Sequence, residues 1–224
     1  MQPRIAVVLP ARNEAPRIGS VLAALRLAQP GAETIVVDDG SSDETRRVAR
    51  DHGASRVVSH RVSLGKGAAL RTGCEAALAD GCDLIVLMDA DGQHRPEDVG
   101  RLVAALTAGQ ADLAIGYRSF SREMPAAMRL GNWGLSSLFW LIFGRDFRDT
   151  QCGLRGFRAE SWEKLRWEAI DYSVESEMLV RAVSSRLRIV EVPISTLYDD
   201  RYKGTTPADG VRILAEMVRW RLSR

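Results

Sequence analysis

Residues 83–94 have the sequence DLIVLMDADGQH, an apolar run that ends in two carboxylates one residue apart. An uninterrupted run of Leu, Ile and Val is typical of a strand that is buried on both faces of a parallel sheet. Asp89 and Asp91 follow at the carboxyl end of this strand, which is the edge where open α/β sheets bind ligands. Two poorly solvated carboxylates repel each other unless a cation neutralises them. The stretch therefore predicts a parallel α/β sheet with a cation site at its edge.

Similar apolar runs alternate with helical patterns through the first half of the chain, as a parallel sheet flanked by helices requires. The predicted strands are IAVVLP (5–10), TIVVDD (34–39), SRVVSH (55–60) and DLIVLMDAD (83–91). The predicted helices cover about residues 15–28, 42–52, 65–80 and 96–107. Ser41 and Glu44 form a capping-box pattern, which predicts that the second helix begins directly after the Asp38-Asp39-Gly40 turn.

Composition favours one compact domain: 224 residues, of which 46% are hydrophobic and 27% are charged. The three cysteines lack C-x-x-C spacing, so we expect no zinc or redox site and a reduced, cytoplasmic compartment.

The first residues carry charge too early for a signal peptide, and no apolar run is long enough for a membrane span. Residues 118–224 carry 18 basic and 14 acidic side chains, which favours anionic partners in that half. We expect no nucleic-acid partner.

The DADGQ segment offers hard oxygen ligands of the kind that Mg²⁺ and Mn²⁺ prefer. Asp89 and Asp91 are predicted to hold such a cation, whose open positions a diphosphate can complete. Gln93 can add a carbonyl oxygen, and His94 is a weaker candidate. An acidic pair alone is common on protein surfaces, so the position directly after a buried strand is what favours a metal site.

Two further turns carry candidate nucleotide-binding groups. Asp39 is predicted to accept hydrogen bonds from a base or ribose, because acidic residues at strand ends do so in other nucleotide folds. For Asp38, Ser41 and Ser42 we favour turn and cap chemistry instead.

The segment LGKGAALRTG (64–73) resembles a phosphate loop only in part, since His60 stands where the first glycine is required and Gly67 follows the lysine. A P-loop ATPase is therefore not supported. Its glycines would let the backbone approach a bound donor, with Lys66 or Arg71 near the base or phosphates. Solvated charges at a helix start are the alternative.

In eight segments and in the expected order, the chain resembles the inverting GT-A fold glycosyltransferases of glycosyltransferase family 2, most closely the dolichol- and polyprenyl-phosphate mannose and glucose synthases. The segments are LPARNE, VVDDGSSDET, GKGAALRTG, MDADGQHRPED, GYR, DTQCGLRGFR, YSVESEM and VPI, spread over about residues 4–195. Arg12 stands where this family often has Tyr. No linker or repeat divides the chain. We therefore expect one domain over residues 1–224, with a donor-binding half at about 1–117 and an acceptor-facing half at about 118–224.

The resemblance implies transfer of a hexose, with inversion, from a GDP-mannose or UDP-glucose type of donor to a polyprenyl phosphate lipid. The donor would contact Pro10, Asn13, Glu14, Asp39, Lys66, Arg71, Asp89 and Ala90. The metal, Mg²⁺ or Mn²⁺, would bind Asp89, Asp91 and Gln93. The acceptor would meet Arg118, Arg155, Arg201 and Lys203, and the catalytic set would be Asp91, Arg118, Arg155 and Glu177.

Two points about carboxylates stay open in the sequence. Either Glu175 or Glu177 would orient sugar hydroxyls, while the other would be a solvated helix charge. Asp149 would either contact sugar or cap the following Gln-Cys-Gly turn.

An aromatic stretch from Met128 to Phe143, flanked by arginines, suits either a helix in the plane of a membrane interface or a buried core helix. The resemblance favours the membrane, because this region lies near the lipid acceptor in the family. The last helical segment, VRILAEMVRWRLSR, is basic and amphipathic, and relatives often continue into membrane helices. We expect a peripheral protein on the cytoplasmic face of the membrane, with a membrane protein as a candidate partner.

Two rival functions remain at this stage. One is a transferase of the same fold that acts on a sugar or protein hydroxyl, for which Glu175 or Glu177 would serve as general base. The other is a non-catalytic subunit that binds a nucleotide sugar, against which the intact Asp89, Asp91 and Gln93 set argues.

Overall fold

The computed structural model describes residues 2–118, 126–196 and 207–222. The strands are β1 (Ile5–Ala11), β2 (Ala32–Asp38), β3 (Arg56–Ser59), β4 (Leu84–Leu87), β5 (Leu113–Arg118), β6 (Arg155–Arg158) and β7 (Ile189–Ile194). The helices are α1 (Ala15–Ala28), α2 (Thr45–Asp51), α3 (Lys66–Ala79), α4 (Pro96–Thr107), α5 (Ala126–Phe143), α6 (Trp162–Leu165), α7 (Val174–Ser184) and α8 (Pro207–Leu222).

The described strands form one sheet in the order β3-β2-β1-β4-β6-β5-β7. Neighbouring strands are parallel except at β6, which pairs antiparallel with β4 on one side and with β5 on the other. The predicted architecture, a mostly parallel sheet flanked by helices, is confirmed. The short antiparallel strand RGFR in its middle is a feature that the sequence did not predict.

Each face of the sheet carries its own hydrophobic core, which explains why the strands are apolar without alternation. On one face Ile85 of β4 packs in a core with side chains of α3, α5, α7 and α8. On the other face Val86 packs with side chains of α1 and α4. Because β4 has neighbours on both faces and both edges, its carboxyl end is a fixed platform for the residues that follow it.

The capping-box prediction for α2 is wrong, since α2 begins at Thr45 and no side chain caps it. The serine turn before it binds the turn after β1 instead. Ser41 Oγ accepts the Asn13 N–H at 3.0 Å, and the Ser42 N–H donates to Asn13 Oδ1 at 2.9 Å. Asn13 adopts a left-handed conformation with φ of 55°, which these bonds hold in place. The serines therefore tie together the two turns that follow β1 and β2 at the carboxyl edge of the sheet.

Close packing of α3 on the sheet generates a stability prediction. A Cβ atom at Gly73 would overlap the side chain of Val8 and lie 3.1 Å from Val37 Cγ2, and both valines are fully buried. We expect Gly73→Ala to lower the free energy of unfolding by about 1–3 kcal/mol through overpacking, as measured by urea denaturation. Gly134→Ala in α5 is the matched control, because that position is open and alanine favours a helix by about 0.8–1 kcal/mol. Equal stability of the two variants would contradict the proposed contact.

Candidate active site

A cleft of about 430 Å³ lies at the carboxyl ends of β1, β2 and β4, the edge where the sequence predicts the ligand site. Its lining residues are Pro10, Ala11, Arg12, Asn13, Glu14, Asp39, Ser63, Gly65, Lys66, Ala69, Asp89, Ala90, Asp91, Asp171 and Tyr172. The structure thus brings the predicted donor residues together around one cleft, with the exception of Arg71. The Nη1 atom of Arg71 donates to the Trp167 carbonyl oxygen at 3.3 Å instead.

Lys66, the first residue of α3, lies between two carboxylates from distant parts of the chain. Its Nζ is 2.7 Å from Asp89 Oδ1 and 2.8 Å from Glu175 Oε1. Burial acts to lower the pKa of Lys66, but the two carboxylates outweigh burial and raise the pKa above its ordinary value. Burial acts to raise the pKa of Asp89, and Lys66 together with His94 holds it below the ordinary range. Lys66 and Asp89 are therefore an ion pair near neutral pH.

Asp91 shares the loop after β4 with Asp89, and its Oδ1 accepts the Gln93 backbone N–H at 3.0 Å. Burial and the neighbouring Asp89 charge raise the pKa of Asp91. The electrostatics of this loop therefore favour an additional positive charge.

The chemistry of Asp89 and Asp91 fits a hard divalent cation. Across residues 2–118, 126–196 and 207–222, no group of three or more His, Cys, Asp or Glu side chains gathers to surround a metal. A cation on these two carboxylates would therefore take its remaining ligands from other groups, such as water, a phosphate or the predicted Gln93 carbonyl oxygen. Mg²⁺ is commonly held by one or two carboxylates together with waters and substrate phosphates. His94 Nε2 lies 3.7 Å from Asp89 Oδ2, outside hydrogen-bond range, and Gln93 stays a predicted ligand.

Asp39 holds the loop of residues 63–65 at the cleft, because both oxygens of its carboxylate accept hydrogen bonds from this loop. Oδ1 accepts from the Leu64 N–H at 2.8 Å and lies 2.7 Å from His60 Nδ1, while Oδ2 accepts from Ser63 Oγ and the Gly65 N–H. Burial acts to raise the pKa of Asp39, and these hydrogen bonds outweigh it and lower the pKa. A direct bond from this carboxylate to a base or ribose would have to displace one of these donors.

The glycines around Lys66 serve a different purpose from the predicted approach to a donor. A Cβ atom at Gly65 would overlap the Ile170 carbonyl, and one at Gly67 would overlap the Ala169 carbonyl. The Gly67 N–H also donates to the Ile170 oxygen at 2.9 Å. These positions must be small because the loop before α7 packs directly on the start of α3, and that contact brings Tyr172 next to Lys66, 5.8 Å from Nζ to the ring centre.

Arg155 does not face the cleft, which corrects its predicted role toward the acceptor phosphate. Its side chain is 1% exposed, and its guanidinium donates to the backbone carbonyls of Cys152, Thr150 and Glu175 at 2.8, 2.7 and 2.5 Å. A buried guanidinium needs acceptors on every side, and these carbonyls provide them. Arg155 therefore braces the turn before β6 against the start of α7.

The structure distinguishes the two glutamates of α7. Glu177 is buried, and its carboxylate accepts the N–H groups of Glu168 and Ala169 and pairs with Arg181 at 2.6 Å. It is neither a solvated charge nor a cleft residue, so its predicted catalytic role is not supported by its position. Glu175 instead reaches Lys66, and its Oε2 is buried with no hydrogen-bond partner among the described residues. Of this pair, Glu175 contacts Lys66 of the cleft lining, and neither glutamate belongs to the lining itself.

Arg118 and Asp149 form a buried pair, since Nε and Nη2 of Arg118 donate to the two Asp149 oxygens at 2.6 and 3.0 Å. Asp149 also accepts the Gln151 N–H at 3.1 Å, so of its two predicted roles the structure displays the loop cap. Arg118 is the last residue of β5 and is not among the residues that line the cleft. Arg201 and Lys203 lie outside the described residues.

Sequence reasoning missed Asp171 and Tyr172 as cleft residues. Asp171 is held by Ser173 Oγ at 2.6 Å and by Arg212 of α8 at 3.0 Å. Asp171 immediately precedes the recognised segment YSVESEM, and Tyr172 is its first residue. Their position next to this segment was the sequence signal that could have identified them.

Helix α5 has one buried face, as a core helix would, and one exposed face that carries large apolar side chains. Phe139 is fully buried, and its ring centre lies 4.8 Å from that of Phe143 in a tilted arrangement, so this face belongs to the core. The opposite face is exposed; its large apolar side chains are Leu130, Trp133, Trp140 and Leu141. Helix α8 packs beside α5 and repeats the arrangement, with Ile213 and Met217 buried in the same core. Among the described residues, no helix has the length and hydrophobicity needed to traverse a bilayer.

Comparisons with known proteins agree with this geometry. The sequence profile of the family named Glycosyl transferase family 2 matches residues 6–166. The chain is 34% identical to the polyprenol monophosphomannose synthase of Mycolicibacterium smegmatis over 233 residues, covering 96% of this chain and 85% of that protein. It is 32% identical to the undecaprenyl-phosphate mannosyltransferase of Micrococcus luteus over 236 residues, covering 98% and 95%.

The solved glucosyl-3-phosphoglycerate synthase of Mycobacterium tuberculosis, in complex with Mn²⁺, UDP-glucose and phosphoglyceric acid, superposes with a TM-score of 0.77. The two sequences are 26% identical, and the match covers 98% of this chain and 80% of that one. The profile match extends over most of the chain, and the sheet, the cleft and this structural neighbour agree with it. The chain therefore belongs to glycosyl transferase family 2 and is a glycosyltransferase of the GT-A fold.

Proposed function

We propose that this protein transfers a hexose, with inversion, from a nucleoside diphosphate sugar of the GDP-mannose or UDP-glucose type to a polyprenyl phosphate. The observation that carries the proposal is the group of Asp89, Asp91 and Lys66 at the end of β4, inside a cleft of about 430 Å³. Carboxylates for a cation and an ammonium for phosphate oxygens are together what a sugar diphosphate needs.

In the proposed complex the diphosphate lies between Lys66 and the Asp89–Asp91 loop, and the nucleoside extends toward Asn13 and Glu14. When bound, Mg²⁺ or Mn²⁺ would neutralise the negative charge that develops on the departing diphosphate. Lys66 contributes a second positive charge to the same oxygens. Glu175 lies on the other side of Lys66, where its carboxylate can accept hydrogen bonds from sugar hydroxyls.

The reaction is a single displacement. An oxygen of the acceptor phosphate forms a bond to the anomeric carbon from one face, and the bond from that carbon to the diphosphate oxygen breaks on the other face. A phosphate monoester is already an anion near neutral pH, so the protein need not remove a proton. Positioning and stabilisation of the leaving group dominate the catalysis.

The acceptor proposal rests on the relatives, because the two curated proteins compared above are named for polyprenol and undecaprenyl phosphate substrates. The exposed apolar faces of α5 and α8 support it. Trp133 and Trp140 lie on one such face, and Arg145 and Arg148 follow at the end of α5. Aromatic and basic side chains together suit the headgroup boundary of an anionic membrane. We accordingly propose a peripheral location on the cytoplasmic face, with a membrane protein as a candidate partner.

The test is an assay of the purified protein with Mn²⁺ or Mg²⁺, a panel of nucleoside diphosphate sugars, and polyprenyl phosphate in vesicles. Release of nucleoside diphosphate over many turnovers together with formation of a glycosylated lipid supports the proposal. Donor binding without turnover on any acceptor would indicate the rival, a non-catalytic binding subunit.

A second candidate function has a specific observation in its favour. Glu175 Oε2 is buried without a hydrogen-bond partner among the described residues, which is how a general base for a hydroxyl acceptor would look before substrate binds. The alternative is therefore a transferase of this fold that acts on a sugar or protein hydroxyl.

Asp91→Asn removes a charge from the proposed metal pair while preserving the shape of the side chain. We expect turnover to fall by more than about a hundredfold, because the leaving diphosphate loses its counter-charge. Metal-dependent donor binding, measured by calorimetry, should be lost as well, while the thermal unfolding midpoint stays near that of the wild type. Asp51→Asn, on the exposed surface of α2, is the control. Full activity of Asp91→Asn would refute the metal assignment.

Glu175→Gln distinguishes the two candidate reactions. If the acceptor is a phosphate, the amide still binds the sugar and kcat should fall by about tenfold or less. If the acceptor is a hydroxyl, loss of a general base should lower kcat by about 10²–10⁴-fold. Glu177→Gln is the structural control: it leaves backbone N–H groups poorly satisfied, so unfolding should be easier by about 1–3 kcal/mol. A catalytic loss in Glu177→Gln without any loss of stability would restore its predicted role.

Replacing Trp133 and Trp140 together by Gln should weaken binding to anionic vesicles and activity on long-chain acceptors, while a short water-soluble acceptor is still used. The fold should stay intact, because both rings are more than half exposed and make few packing contacts within the protein. Added salt should weaken vesicle binding of the wild type by screening the arginines. Phe139→Ala, on the core face of the same helix, should instead destabilise the fold and lower activity on every acceptor. Unchanged vesicle binding in a stable Trp133/Trp140 variant would remove the membrane role from α5.

A further inference from the structure

Lys66 already forms an ion pair with Asp89, one of the two carboxylates predicted to bind a cation. The Asp89 Oδ1 atom faces the ammonium at 2.7 Å, and the Oδ2 atom lies against Gly153, where even a methyl group would overlap it. One oxygen therefore pairs with a charge, and the other has Gly153 on one side and His94 Nε2 at 3.7 Å. A metal ion that binds Oδ1 would therefore compete with the ammonium of Lys66 for the same oxygen.

The ammonium is also fixed on its other sides. Glu175 Oε1 holds it at 2.8 Å, the Tyr172 ring lies 5.8 Å from Nζ, and the lysine side chain is 17% exposed. An ammonium and a divalent cation a few ångströms apart in such a poorly solvated site repel each other strongly. Metal binding and the present position of Lys66 are therefore competing states of one site.

We propose that Lys66 is an internal counter-ion that keeps the donor-free site weak for metal and releases Asp89 when a diphosphate arrives. The inference rests on the proposed function, since it needs a diphosphate in this cleft. The phosphate oxygens offer the ammonium a stronger partner than one carboxylate, so Lys66 turns toward them. Oδ1 of Asp89 is then open to the metal, and Glu175 is open to the sugar.

The proposal has a thermodynamic consequence. Metal and nucleoside diphosphate strengthen each other's binding through Lys66, in addition to their direct attraction, and the coupling must be reciprocal. A lysine suits this exchange better than an arginine, because its charge is compact and its stem is flexible, whereas the planar guanidinium favours fixed pairs. Arg118, locked on Asp149 by two bonds, illustrates the fixed kind of pair in the same chain.

The experiment measures Mn²⁺ binding to the full chain without any nucleotide, by calorimetry or electron paramagnetic resonance. Lys66→Met should bind free Mn²⁺ at least tenfold more tightly than the wild type, because the competing charge is gone. Lys66→Arg retains the charge and should show no such gain. Lys164→Met, which makes the same substitution at an exposed position in α6, should match the wild type. Near-ultraviolet circular dichroism establishes that each variant is folded, and Lys66→Gln replaces Lys66→Met if the latter does not fold.

The titrations are then repeated in saturating UDP and in saturating GDP. The wild type should gain Mn²⁺ affinity by a larger factor than Lys66→Met does, after correction for direct binding of Mn²⁺ to the nucleotide. Equal or weaker binding of free Mn²⁺ by a folded Lys66→Met or Lys66→Gln variant overturns the counter-ion proposal. A wild type that binds neither nucleotide with Mn²⁺ overturns the proposed function instead, so the two failures are distinguishable.

Discussion

The ionic contact of Lys66 with Asp89 and Glu175 is the interaction on which the active-site cleft depends. It joins the loop after β4, the start of α3 and the start of α7, which lie far apart in the sequence. Buried charges must be paired, so the position of each group constrains the other two. The contact thereby fixes the start of α7 against the carboxyl edge of the sheet.

The sequence predicted what depends on local pattern. The bounds of α1 and α4 coincide with the predicted ranges, and the buried strands lie where the apolar runs placed them. Both depend on periodicity along the chain, which neighbours in space seldom alter. The strand RGFR was missed because it has four residues with one large apolar side chain, and its place between β4 and β5 is set by tertiary pairing. The capping box failed for a related reason, since Ser41 finds a better-placed donor in the turn after β1.

The roles of single charged side chains were much harder to predict, and Arg155 shows why. In a sequence, an arginine that binds a phosphate looks the same as one that binds three carbonyl oxygens. The side chain is identical, and glycines can stand nearby in both cases. What separates them is burial: Arg155 is enclosed by the chain's own carbonyls. Glu175 and Glu177 differ in the same way, because helix geometry turns residues two apart to different sides. One carboxylate then contacts Lys66, and the other accepts hydrogen bonds from backbone N–H groups. Only the packed structure makes that distinction.

The glycines beside Lys66 connect these observations. Gly65 and Gly67 let the loop before α7 lie directly on the first turn of α3, and the Trp167 Nε1–H bonds the Gly67 carbonyl at 2.8 Å. A larger residue at either position would push that loop away, and Glu175 at the start of α7 would move with it. The glycines thus govern the separation between the lysine and its second carboxylate, without touching either charge. A segment that resembles a phosphate loop in sequence therefore acts here through packing, and its lysine carries the electrostatic role.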